Sequence, residues 1–147
     1  MKPLSATELR IGNFANYRFF NPNPKNMAFE FEQVEIVGVL KNTFYFKQKN
    51  DKRTIKTSEL YPIPLTEEWL VRFGFSVRES STSKQYYIGM NEITHDWLFD
   101  LIWLDRPELI KAPNAPFYRN GRHTIYYVHT LQNLFFSLCG EELTLKY

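Results

Sequence analysis

The last quarter of the chain, Thr124 to Tyr147, carries the pattern that most limits the fold. It reads TIYYVHTLQNLFFSLCGEELTLKY, with Val128, Leu131, Leu134, Phe135 and Leu138 spaced to share one side of a helix. Gln132, Asn133 and Ser137 then turn away, and Gly140 is placed to take the left-handed conformation that closes a helix. The β-branched and aromatic run from Thr124 to Val128 predicts a strand before this helix, and the alternation of Leu143, Thr144 and Leu145 a short strand after it. Such a segment supplies a packing centre against β-structure.

At 147 residues the chain has the length of one ordinary domain or two very small ones. Its 17% aromatic share suits sheets, because aromatic rings bury large areas on a pleated surface. The net charge of +2 gives no whole-protein field of the kind that marks a nucleic-acid binder. That charge is uneven: residues 1–65 hold ten Lys/Arg against six Asp/Glu, and residues 66–147 hold eight against ten. One cysteine, Cys139, excludes an intramolecular disulfide framework and a multi-thiolate zinc site. No apolar run approaches the roughly twenty residues that span a bilayer. The N-terminal MKPLSATELRIGN lacks the apolar core of a signal peptide, so no membrane partner and a cytoplasmic location are expected.

Upstream, Leu9 to Tyr17 reads LRIGNFANY, where Gly12-Asn13 interrupts the alternation as a bulge or tight turn would. Phe20 to Asn26, FNPNPKN, reads as loop, since each proline removes a donor and steers its predecessor away from helix. From Phe29 to Leu40 the residues alternate, with Phe29, Phe31 and Gln33 on one side and Val34, Ile36 and Gly38 on the other. Thr43 to Lys47 and Thr54 to Leu60 predict two further strands around the charged residues 48–53. Strands this short and close predict a small β-barrel-like subdomain over residues 1–62, as a bent sheet or an SH3-like barrel.

Pro62-Ile63-Pro64-Leu65 is a stiff connector and the best internal boundary. Beyond it, residues 63–147 predict an α+β subdomain sharing one core with the first. Thr66 is placed as N-cap before Glu67 and Glu68, Leu65 and Leu70 hold the positions of a hydrophobic staple, and Gly74 stops a short helix. Phe75 to Glu79 and Gln85 to Met90 predict a hairpin. Trp97 to Leu104 fits either a strand or a helix, and its length and aromatic content favour strand. Asn120-Gly121 is a two-residue hairpin signal. The fold class expected is α+β, with an antiparallel sheet packed by a short helix and a longer C-terminal one.

The phrases LRIGN, PIPLTEEWLVRFGF at 62–75 and YYVHTLQNLFFSLCGEELTL at 126–145 together resemble a group of small proteins encoded in bacteroidete genomes, often in prophages, phages and other mobile elements. The resemblance spans most of the chain, apart from a diverged stretch at 76–122. It implies a cytoplasmic accessory protein and carries no assigned activity or catalytic residue.

The chemistry-bearing residues point away from catalysis. His95, His123 and His129 have no partner at metal-ligand spacing. On a straight helix, His129 and Cys139 would lie about 15 Å apart along the axis, too far for a nucleophile and base. His95, Asp96 and Asp100 form the one acidic-plus-imidazole cluster; a metal-dependent phosphodiester enzyme built on it is the weakest alternative, because no lysine-containing nuclease signature accompanies it. The glycines are isolated, which excludes Rossmann and P-loop nucleotide sites. No cofactor, metal or catalytic residue is expected.

The most suggestive surface is the segment 41–56. Lys41, Lys47, Lys49, Lys52, Arg53 and Lys56 stand against one acid, Asp51, with Phe44, Tyr45 and Phe46 interleaved. Cations on a strand-loop-strand can follow phosphates while an exposed aromatic stacks on a base. The expectation is a non-enzymatic binding module for nucleic acid. The alternatives are a solvated hairpin with its aromatics in the core, and a protein-interaction module directed at a host or phage protein.

Overall fold

The computed structural model describes residues 2–23, 28–41, 43–47, 54–57, 59–81, 83–90, 97–104, 117–119 and 123–146. The fold is α+β, and the chain divides into two compact units, Met1–Ile63 and Pro64–Tyr147. Among the described residues no helix is long and apolar enough to cross a membrane.

The first unit is an antiparallel sheet of β1 (Phe14–Asn21), β2 (Ala28–Leu40), β3 (Thr43–Lys47), β4 (Thr54–Thr57) and β5 (Leu60–Tyr61), in the order β4-β3-β2-β1-β5. β2 serves two neighbours in turn. Residues 28–35 pair with β1 and residues 36–40 with β3, and the register slips between Ile36 and Gly38. That bulge bends the strand and lets the sheet curl over its core. No ladder joins β4 to β5 among the described residues, so the sheet is bent and not closed into a barrel.

The bulge also corrects the expected faces. Gly38 does not share the side of Val34 and Ile36; it stands opposite Tyr45 in the ladder, one register step past the core pair Ile36 and Phe46. Phe20 and Asn21 belong to β1 and not to a loop, because Phe29 and Ala28 pair with them and continue the ladder to the hairpin end.

Among the described residues, the core of this unit holds Leu4, Leu9, Ala15, Val34, Ile36, Phe44, Phe46 and Leu60. The LRIGN phrase is a turn that anchors it. Gly12 takes φ 89°, left-handed backbone that a residue with a Cβ adopts only under strain. The Asn13 amide donates to the Arg10 carbonyl at 3.1 Å, while the Asn13 Oδ1 accepts from the Arg10 amide at 2.7 Å. Across the turn, Gly12 donates to the Ile36 carbonyl at 2.8 Å and the Ile36 amide donates to the Asn13 carbonyl at 2.9 Å. The turn is thus pinned to β2 where the strand bulges.

The second unit has its own antiparallel sheet, of β6 (Ser76–Glu79), β7 (Ser83–Met90), β8 (Trp97–Leu104), β9 (Phe117–Arg119) and β10 (His123–Ile125), in the order β10-β9-β8-β7-β6. Residues 97–104 are therefore strand, and β9 and β10 pair antiparallel with Arg119 opposite His123; the Asn120-Gly121 signal lies outside the described residues. Helix α1 (Glu67–Arg72) begins after Thr66, which is extended but makes no side-chain cap bond. Leu65 and Leu70 are both buried, as a staple requires. Gly74, at φ 83°, ends this segment.

Helix α2 (Val128–Cys139) closes at Gly140, whose φ of 74° is the expected left-handed cap. Its buried side differs from the stripe read by hydrophobicity. Val128, Leu131, Gln132 and Phe135 face inward with His129, at the i, i+3, i+4, i+7 spacing of one helix face. Leu138 is 51% exposed and Leu134 only half-buried, so the face is rotated towards Gln132. Residues 142–146 form no strand; Leu143 is buried and the Lys146 amide donates to the Arg72 carbonyl at 2.7 Å, which spends the segment on α1 instead of on a sheet.

Candidate nucleic-acid interface

The strand β3 decides what the basic segment can present. Its residues alternate, and the core takes Phe44 and Phe46, which are 1% and 0% exposed. Phe46 packs its ring 4.8 Å from that of Tyr17. Neither ring is available to a base, which corrects their expected place in an interface. The cause is register: β2 and β3 turn these alternate positions towards Ile36 and Val39.

Tyr45, of the opposite parity, lies on the outer face. It is half-buried, and a Cβ placed on Gly38 would lie 3.4 Å from its own Cβ, so the tyrosine lies close across that glycine. Lys56 stands opposite Tyr45 in the β3–β4 ladder, and Lys47 ends β3 opposite Thr54. Lys41 is exposed at the β2–β3 turn, with φ 55°. Lys49, Lys52 and Arg53 lie outside the described residues.

The same outer face carries residues that the reading of the basic segment missed. In the β1–β2 ladder Arg18 stands opposite Phe31 and Phe20 opposite Phe29. Phe20, Phe29 and Phe31 are 51%, 59% and 55% exposed. The Phe20 and Phe29 rings meet edge to face at 5.6 Å, and Phe31 meets Tyr61 in the same way at 5.6 Å. The Arg18 guanidinium sits 3.9 Å from the centre of the Phe29 ring. The acids of β2 are placed apart from this block. Glu30 and Glu32 have the other parity, Glu30 accepting a 2.6 Å bond from the side-chain Nδ2 of Asn21. Glu35 is outward but lies opposite Phe14, at the far end of the hairpin from Phe20. The alternation of Phe29 and Phe31 against Val34 and Ile36 was a signal for this face; it separates the two sides without saying which one is wet.

The second unit carries an ion-pair cluster on α1, β6 and β7. The Glu67 carboxylate accepts from the Lys84 ammonium at 2.8 Å and from the buried Tyr86 hydroxyl, and Lys84 also reaches Glu79 at 3.2 Å. The Lys84 bond, then that from Tyr86, holds the Glu67 carboxyl below its ordinary value. Burial, then the Glu67 bond, pushes the Tyr86 phenol upward. These contacts tie α1 to β7. His129 is buried and stacks on Tyr127 with ring centres 5.7 Å apart, a packing role. Asp100 lies on β8 opposite Tyr87, while His95 and Asp96 fall outside the described residues. No group of three or more metal-ligating side chains occurs among the described residues.

No family model, curated protein or solved structure matches the chain. Fold and surface define it by architecture: an α+β protein with an N-terminal bent sheet that shows aromatic and cationic residues on its outer face.

Proposed function

We propose that the chain is a non-enzymatic binding module whose N-terminal unit contacts nucleic acid through the outer face of β2, β3 and β4. The observation that carries this reading is the parity of β3. With Phe44 and Phe46 in the core, Tyr45 is an outward aromatic opposite Lys56 and flanked in the strand pair by Lys41 and Lys47. Cations there can follow phosphates, and a tyrosine among them can stack on a base. The setting in a phage or other mobile element rests on the resemblance of the LRIGN, PIPLTEEWLVRFGF and YYVHTLQNLFFSLCGEELTL phrases.

The test is the salt dependence of binding. Each phosphate contact adds about 0.9 to the slope of log K against log salt for duplex DNA and about 0.7 for single strands. The Lys47→Ala/Lys49→Ala/Lys52→Ala/Arg53→Ala variant should therefore bind more weakly, with a slope smaller by up to about 3.6 on duplex DNA and about 2.8 on single strands. Unchanged affinity and slope on both DNA and RNA would remove the reading.

A further inference from the structure

We infer that Arg18, Phe20, Phe29 and Phe31 form a stacking platform for unpaired bases, so that the nucleic acid this sheet takes is single-stranded. The inference rests on the reading just proposed and adds to it the chemical state of the ligand.

Three rings more than half exposed on one face of one hairpin are an unusual investment of apolar surface. Their arrangement is regular. Phe29 and Phe31 are successive outward positions of β2, separated by about 6.7 Å along the strand, while Phe20 and Arg18 occupy the matching positions of β1. Bases in a duplex are stacked about 3.4 Å apart with their faces covered by one another. They cannot lie on rings at twice that spacing. A single strand, its bases unstacked and splayed, can place successive bases on successive rings.

The charge pattern favours the same occupant. Arg18 is the one ionisable group in the block of four and lies over the Phe29 ring, where its planar cation can meet a base or a phosphate. β3 runs antiparallel to β2, with Phe46 opposite Ile36, so Lys47 and Thr54 end their strands on the Glu35 side of that pair. From that level β2 runs back through Gln33 to Phe31 and Phe29 on the same outer face, so a strand held beside Lys47 would follow β2 onto the rings.

The experiment compares an oligothymidylate of about 16 nucleotides with a blunt mixed-sequence duplex of equal length, by fluorescence anisotropy at low salt. The parent should bind the single strand at least about tenfold more tightly, as expected for more than one stacked base. The Phe20→Thr/Phe29→Thr/Phe31→Thr variant, whose β-branched replacements suit a strand, should lose that preference, its affinity for the single strand falling further than that for the duplex. The four-site basic variant should weaken both complexes.

Equal affinity of the parent for both probes, or equal loss of both in the threonine variant, would overturn the platform while leaving the nucleic-acid reading in place. Binding of neither probe by the parent would overturn both. A parent that sediments as a dimer, and a threonine variant that is monomeric with unchanged oligothymidylate affinity, would make the face a protein contact and overturn the platform too. Photo-cross-linking of a 5-iodouracil oligonucleotide to the parent needs no variant to fold: cross-links should map to the β1 and β2 peptides, and their confinement to other peptides would contradict the inference.

Discussion

Phe46→Ala should destabilise the N-terminal unit by about 3–5 kcal/mol, the cost of a cavity left by a fully buried phenylalanine. Phe46 is completely buried, packs against Tyr17 and belongs to the core cluster with Ile36, Phe44 and Leu60. Urea denaturation followed in the far ultraviolet measures the loss, and faster amide exchange in β2 and β3 locates it. Phe46→Leu keeps much of the volume and should cost less, about 1–2 kcal/mol. Because the ring faces inward, the leucine variant should bind nucleic acid as the parent does. A stacking role for Phe46 would give the reverse: near-parental stability and weakened binding.

Leu131→Ala should cost the second unit about 2–5 kcal/mol, whereas Leu138→Ala should cost about 0.5 kcal/mol or less. Both residues lie on the apolar stripe that hydrophobicity alone draws along α2. Leu131 is fully buried between Val128 and Phe135 on the inward face, and Leu138 is half exposed in the last turn. Trp69, Trp97 and Trp103, the chain's three tryptophans, all lie in this unit, so their fluorescence reports its unfolding in urea. Equal losses from the two substitutions would mean that the helix packs along the stripe instead of along the face centred on Leu131 and Gln132.

That contrast shows what kind of information the sequence held. Local chemistry was legible wherever a backbone constraint and a residue type coincide. Gly140 and Gly74 end helical segments because only glycine enters left-handed backbone cheaply, and Gly12-Asn13 makes a turn for the same reason. The strand at 97–104 followed from aromatic content and length. What could not be read was decided by partners distant in sequence. Gln132 is buried because the helix angle sets it beside Leu131 and Phe135, although its own polarity argues against burial. Leu143 packs inward while Lys146 bonds to Arg72, so the alternation at 143–145 never meets a strand to pair with.

The interface shows the same division. Alternation separated the two faces of β2 correctly through Ile36, and the slip of register after it moved Gly38 to the side of Tyr45. Composition pointed to the cations of residues 41–56 and treated Phe44, Tyr45 and Phe46 as equivalent, whereas a strand must divide neighbouring residues between its faces. The prolines after Phe20 predict a loop from that residue onward, whereas β1 runs through it and sets its ring against Phe29. An exposed phenylalanine and a core phenylalanine look alike until the register is known.

The central claim is that the outer face of the first sheet is the contact surface and that its inner face is only core. Amide chemical shifts of the labelled protein, titrated with oligothymidylate, test it most directly. The account predicts changes that alternate along the strands, at Arg18, Phe20, Phe29, Phe31 and Tyr45, with Lys41 also affected and Val34, Ile36 and Phe46 little changed. Changes centred on β7, β8 or α2, with these residues unmoved, would contradict it.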